Sequence, residues 1–379
     1  MIVEAFLRWA ETARATERAR AANALGRAYL KSDMSPDERK AAGVAMTWLL
    51  DDPSPQVRGA LAEAVAEAED VPKVVVLSLA EDQIEIAAPV ILRSPLLSDI
   101  DLVDLVGRGA DHTRALVAAR RPLGCGAVAA LAEIAAADEI ALLLENDSAR
   151  FTRLSLRRIA ERHGDDAGVR CLLLDREDLP ADVRHILMQK VASALCGCGL
   201  VRGAVGVERV QRIAGEAETS AAIALAGAAR AEDCVMLVDQ MRRSGRLTPA
   251  FLMQALCSGR TDFFGAAVAA LSGLEDRRVR AILATGRFHS IRALVESAGL
   301  GRAISILFVE AVLLWRDAEQ NAPHIAVVAM LEQLLERAAA LGSLSEEAIE
   351  LLEIVEKLHR QELRRRARDY AVGVALAAA

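Results

Sequence analysis

IEIAAPVILRSPLLSD, residues 84–99, joins an apolar helical run to an abrupt stop at Arg93-Ser94-Pro95. Proline lacks the amide donor that a helix needs and pushes the residue before it toward extended backbone, so the run has a defined end. Weaker copies follow. Residues 88–96, APVILRSPL, can be laid over residues 115–123, ALVAARRPL, at an offset of 27. ALLLENDS begins at residue 141, 26 further on, and LLLDRE begins at 172, 30 beyond Leu142. Short helices are expected between these turns at 99–106, 128–135 and 151–163. A unit this short cannot hide its own apolar face, so successive copies have to stack. The expected architecture is all-α: an α-solenoid of short helical repeats with a more globular helical C-terminal half.

Toward the N-terminus the same grammar continues. Residues 1–33 are expected to form capping helices, with Leu25, Tyr29 and Leu30 facing inward. Ser35-Pro36-Asp37-Glu38 combines a cap, a first-turn proline and a capping box, and Ser54-Pro55 starts the next helix in the same way. The pair joined by DDPSP resembles a HEAT repeat, and the thinner units after Pro72 look like the leucine-rich-variant class. The repeats are assigned to 34–196. Val74-Val75-Val76-Leu77 suits a strand by composition, but its surroundings favour helix. Pro89 either starts its helix or kinks it.

The glycine-rich run from Gly197 to Gly206 is the clearest break. A second helical region is expected over 207–322, and a C-terminal helical hairpin over 323–379, its helices spanning 324–341 and starting again at Ser343-Leu344-Ser345-Glu346. The last helix is acidic first (Glu346, Glu347, Glu350, Glu353, Glu356) and basic later (Arg360, Arg364, Arg365, Arg366, Arg368), as the helix dipole favours. Its seam of Leu344, Ala348, Leu351, Val355 and Leu358 packs on the preceding helix or, alternatively, makes a dimer contact.

Composition limits the function classes. Apolar residues are 53% of the 379 and aromatics 3%, which favours thin, closely packed helices. A formal charge of −7 gives no overall field to draw in nucleic acid or an acidic membrane. The six cysteines follow no disulfide framework, the first turns are too charged for a secretory leader, and the apolar run 304–315 is too short to span a bilayer. A reduced, cytoplasmic protein is expected.

No catalytic constellation emerges. Cys196 and Cys198 lack the second pair that structural zinc wants, and the glycines around them miss the dinucleotide fingerprint. Six scattered histidines include His163 on an apolar face, and Asp51-Asp52 and Asp165-Asp166 sit in turns as caps. Catalytic residues, metals and cofactors are therefore not expected. The candidate binding surface is basic: Arg150, Arg153 and Arg157 form one stripe, with Arg120 and Arg121 one unit earlier. These arginines either converge on an acidic partner or form a solvated face with local ion pairs. Arg277, Arg278, Arg280, Arg287 and Arg292 carry the same ambiguity.

AAPVILRSPLLSD (87–99), ARRPLG (119–124) and FFGAAVAALSGLEDRRVRAIL (263–283) together resemble an uncharacterised family known mainly from alphaproteobacteria, domain of unknown function 2336, over roughly residues 30–320. The resemblance implies a HEAT-like helical fold in a bacterial cytoplasm and no assigned activity. The expected function is a non-enzymatic scaffold that binds another protein or a peptide segment. Nucleic-acid binding through the arginines is the alternative, and a helical-repeat enzyme the third.

Overall fold

A computed structural model describes residues 2–32, 34–321, 327–341 and 344–378. These residues form 23 helices and no strand; the one pairing of extended backbone among them is an isolated bridge between Leu123 and Ala149. The chain divides into two compact units, Met1–Leu179 and Pro180–Ala379.

Unit 1 holds α1 (Ile2–Thr12), α2 (Ala15–Lys31), α3 (Pro36–Leu49), α4 (Pro55–Val65), α5 (Lys73–Ala80) and α6 (Ile84–Arg93). It continues through α7 (Asp99–Arg108), α8 (Asp111–Ala119), α9 (Cys125–Ile134), α10 (Ala137–Leu144), α11 (Arg153–His163) and α12 (Ala167–Leu174). Local chemistry sets the starts. Ser35 Oγ accepts from the Glu38 amide at 3.4 Å, and Glu38 reaches back to the Ser35 amide at 3.0 Å. Ser98 and Asp101 repeat the box at the start of α7. Ser54 differs from expectation: its side chain makes no cap bond, and Asp52 Oδ1 instead accepts from the Ser54 amide at 2.9 Å.

The β-branched run after Pro72 is helical. Val75 and Val76 are fully buried, and packing of α5 on α6 overrides their extended preference. Pro89 lies inside α6. The carbonyl it leaves without a helical partner is that of Glu85, an exposed residue that water can reach.

Alternate helices are neighbours in space. α2 packs on α4, α4 on α6, α6 on α8, α8 on α10 and α10 on α12, while α7 packs on α9 and α9 on α11. Polar side chains tie one turn of this pattern to the next. Arg18 forks onto both carboxylate oxygens of Asp52 at 2.7 and 2.9 Å, and Arg58 does the same to Asp82. Asn146 Nδ2 donates to the carbonyls of Ala118 and Arg120, both at 2.8 Å. Asp99 accepts from the amides of Gly126 and Ala127, an approach so close that a Cβ at Gly126 would collide with its carboxylate. The ties named here span 24 to 34 residues, bracketing the offsets read from the sequence.

Unit 2 holds α13 (Ala181–Gly197), α14 (Gly199–Val205), α15 (Val207–Ala228), α16 (Ala231–Arg243), α17 (Pro249–Cys257) and α18 (Thr261–Ser272). α19 (Asp276–Thr285), α20 (Phe288–Ser297), α21 (Arg302–Asn321), α22 (Val327–Ala339) and α23 (Glu346–Ala378) complete it. Because α13 packs on α15 and α16, the division between units falls at Pro180, ahead of the glycine-rich run. Within that run Gly206 takes φ +87, a conformation that disfavours other residues, and lets α15 start after α14.

The core of unit 2 is aromatic. Phe263, Phe264 and Phe308 are essentially fully buried; Phe251 meets Phe263 edge-on, and Phe264 stacks on Phe308. The seam of α23 belongs to this core: Ala348, Leu351 and Val355 are sealed against α17, α21 and α22. A dimer contact through that seam is thereby replaced by packing within the chain. Ser345 Oγ accepts from the Ala348 amide and caps α23, while residues 322–326, Gly342 and Ser343 lie outside the described residues.

Candidate functional site

The arginines singled out in the sequence do not form one surface. Arg120 is buried, donating Nη2 to the Ser94 carbonyl at 2.6 Å and Nη1 to that of Ile91. It ties α8 back to α6, whose apolar helix had to end at Ser94, and it sits inside the unit. Arg157 pairs with Glu161 one helical turn on, at 2.8 Å, and Arg153 is half-buried at the start of α11. Arg121 and Arg150 are exposed, and the bridge between Leu123 and Ala149 lays their two segments side by side. In the second cluster Arg280 is held by Asp262 and Asp276 and Arg292 by Glu296. Much of the arginine content therefore serves the chain's own carboxylates and carbonyls.

His163 packs as its face implied: Nε2 lies 3.1 Å from the Ala135 carbonyl, and burial pushes its pKa down. Asp166 accepts from the Val169 amide and caps α12. Asp52 also works structurally. Burial pushes its carboxyl up, but the hydrogen bonds from Arg18 and the Ser54 amide, with the charges of Arg18 and Arg58, hold it below the usual carboxylate range.

A cleft of about 460 Å³ in unit 2 was not anticipated. It is walled by α13, α15, α17, α23 and the turn from α16 to α17. On its floor lie His185, 1% exposed, and Glu218, 9% exposed. Arg246 donates to Glu218 Oε2 at 3.0 Å; Glu218 Oε1 and His185 Nδ1 are buried with no hydrogen-bond partner among the described residues. Burial pushes the His185 pKa down; the Glu218 and Asp182 carboxylates raise it and Arg246 lowers it further, leaving it below the ordinary histidine value. At the mouth Lys357 pairs with Glu216 at 2.8 Å, beside Arg212. Met241, Ile223 and Phe251 give an apolar wall.

The arrangement offers a carboxylate oxygen and an imidazole nitrogen to a donor group on a small ligand. One hint was available in the sequence. Asp182 and His185 lie among Val183, Ile186 and Leu187 on the inner side of α13, where polar residues are unusual. That Glu218 and Arg246, 28 residues apart, would meet there was not legible. Among the described residues no three His, Cys, Asp or Glu side chains gather as a metal-holding group. The Cys257 thiol, in the core, is pushed up to about 12 by burial and stays protonated at neutral pH.

Residues 86–343 match the family described as uncharacterised protein conserved in bacteria (DUF2336). The chain belongs to that family. The match starts inside α6, at its third residue, and ends before α23, so the family covers the floor of the cleft but not Lys357. No curated protein and no solved structure matches the chain. No helix among the described residues is long and apolar enough to cross a membrane.

Proposed function

We propose that the chain is a non-enzymatic interaction scaffold, working in the cytoplasm, whose first unit is an α-solenoid of short HEAT-like repeats presented to another protein or a peptide segment. One observation carries the reading. The second residue of α5, of α7 and of α11 is a large apolar side chain left in the open: Val74 at 52%, Ile100 at 75% and Leu154 at 75% exposed. At the same place in α9 stands Gly126. Salt bridging of Lys73 to Asp101 and the hold of Asp99 on Gly126 set the starts of α5, α7 and α9 side by side. An uncovered apolar residue recurring at one repeat position is what a docking strip on a repeat protein needs. Nucleic acid is the weaker partner, since Arg120, Arg157, Arg280 and Arg292 are occupied within the chain.

A photo-crosslinking residue at position 100 or 154, used in cells, tests this. Capture of one recurrent protein there, and not from exposed Glu145, supports the scaffold; equal capture from all three positions, or none, removes it.

The cleft favours a second reading, a small polar ligand bound in unit 2, because an unpartnered buried carboxylate oxygen is costly to leave empty-handed. An imidazole beside a carboxylate is also the pairing that acid–base chemistry uses. Thermal-shift screening with small amines and alcohols, repeated on Glu218→Gln, addresses it. A shift lost in that variant supports the reading, and one retained places the ligand elsewhere.

A further inference from the structure

Helix α23 runs 33 residues, and its two halves live in different surroundings. In the first half one face is sealed into the core of unit 2, and the opposite face carries Glu346, Ile349, Glu350, Glu353 and Glu356, all exposed. His359, near the middle, still reaches Glu332 of α22 at 3.2 Å. From Leu363 to Ala371 every residue is exposed on every side of the helix. The ion pairs of that stretch are local, from Arg365 and Arg366 back to Glu362. A few helical turns this exposed gain little from tertiary packing and are marginal in water, so this stretch asks for a partner.

Two features say what the partner is. Ile349, Leu363 and Tyr370, exposed at 49%, 44% and 76%, share with Glu356 one stripe of seven-residue steps, the period of paired helices. The charges are sorted along the axis, five glutamates over 346–356 and five arginines over 360–368. A parallel copy would set like charges together, whereas an antiparallel copy sets each acidic half against a basic half.

We propose that the outer face of α23 pairs antiparallel with α23 of a second copy of this chain. A two-fold axis between positions 359 and 360 puts Ile349 against Tyr370 of the second copy, Glu356 against its Leu363 and Glu353 beside its Arg366. The symmetry makes each contact twice. The pairing helices overlap for about 32 Å, from 349 to 370. An RNA or an acidic membrane would engage the arginines but leave Ile349 and the exposed glutamates unanswered, so the second copy is the better fit. This inference does not depend on the docking strip of unit 1.

Light scattering on the eluting full-length chain reads the outcome as mass. At low salt the mass is expected to be twice that of one chain, falling toward one chain as salt screens the pairing. The triple variants Glu350→Arg/Glu353→Arg/Glu356→Arg and Arg360→Glu/Arg364→Glu/Arg366→Glu alter only exposed positions and are expected to be monomeric alone, with unchanged helical circular dichroism. Mixed in equal amounts, they restore complementary charge at both contacts and should recover the doubled mass. A monomeric wild-type chain at low salt overturns the proposal, as does a dimer that survives either triple change or a mixture that stays monomeric. Binding of duplex RNA by a monomeric wild-type chain would assign the arginines to phosphate instead.

Discussion

In unit 1 the polar ties between helices join residues 24 to 28 apart, as Arg58 to Asp82, Lys73 to Asp101 and Asn146 to Ala118 do. In unit 2 the chain also closes over longer distances, with Trp315 Nε1 donating to the Leu256 carbonyl across 59 residues and Lys357 pairing with Glu216 across 141. The apolar content differs to match. The buried phenylalanines, Phe251, Phe263, Phe264 and Phe308, are all in unit 2, while unit 1 buries mainly Ala, Val, Leu and Ile. Small side chains let helices approach closely, and rings fill space where several helices converge on one centre. The same apolar composition thus supports contacts of short sequence span in one unit and closure over long spans in the other.

The largest effect that tests this contrast is removal of a ring. Phe308→Ala should cost about 3–5 kcal/mol, because the ring is fully buried and its stacking partner Phe264 would face a cavity. Of the three tryptophans only Trp315 lies in unit 2, so urea unfolding with Trp9 and Trp48 replaced by Phe reads that unit. A loss below about 1 kcal/mol would mean that the centre is loosely filled and the contrast is wrong.

Next comes a tie. Arg120→Met keeps the volume but strips the Ile91 and Ser94 carbonyls of their donor, and should cost about 2–3 kcal/mol as buried acceptors go unsatisfied. Hydrogen exchange should localise the loss to α6 and α8. Protection lost equally throughout unit 1 would show that its helices unfold as one body and that no tie is local.

These two residues also show where the sequence was legible. The helix stops at Ser94-Pro95 and Asp52-Pro53 follow from backbone chemistry carried by one residue or its neighbours, and the helices end ahead of those signals. Arg120 is different, because an arginine beside an arginine and a proline looks solvated until the α6 carbonyls are seen above it. The cleft was hidden for the same reason: His185, Glu218 and Lys357 come from helices that converge only through packing.

Acid should separate the units at a smaller scale. Asp52, Asp82 and Asp101 are each pushed up by burial, yet hydrogen bonds from Arg18, Arg58 and Lys73 leave them below the ordinary carboxylate value. A depressed carboxylate stabilises fully above its unfolded pKa, about 3.9, and that share is lost as pH falls through the folded value. His185 is depressed as well, but here the charged form is the protonated one; the unfolded chain takes up its proton first, and stability falls from about pH 6.5 downward. Unit 2 should therefore soften at milder acidity than unit 1, where the less enclosed His163 adds a weaker effect of the same sign. Melting temperatures measured against pH should flatten just below about 6.5 in His185→Gln and below about 3.9 in Asp52→Asn. An unchanged slope in either variant would move the pH sensitivity to other groups.

The smallest expected effect on stability has the most to say about function. Ile100→Ser and Leu154→Ser remove side chains that are three-quarters exposed, so each should leave unfolding within about 0.5 kcal/mol of the parent. Water already surrounds these groups, and folding gains little from them. If the repeats present a docking strip, the same changes should sharply reduce crosslinking to a partner from neighbouring Val74. Binding lost with stability kept would place the strip's value outside the chain. A fall in stability comparable to that of Arg120→Met would instead mean that Ile100 and Leu154 already cover something within unit 1 and serve its packing alone.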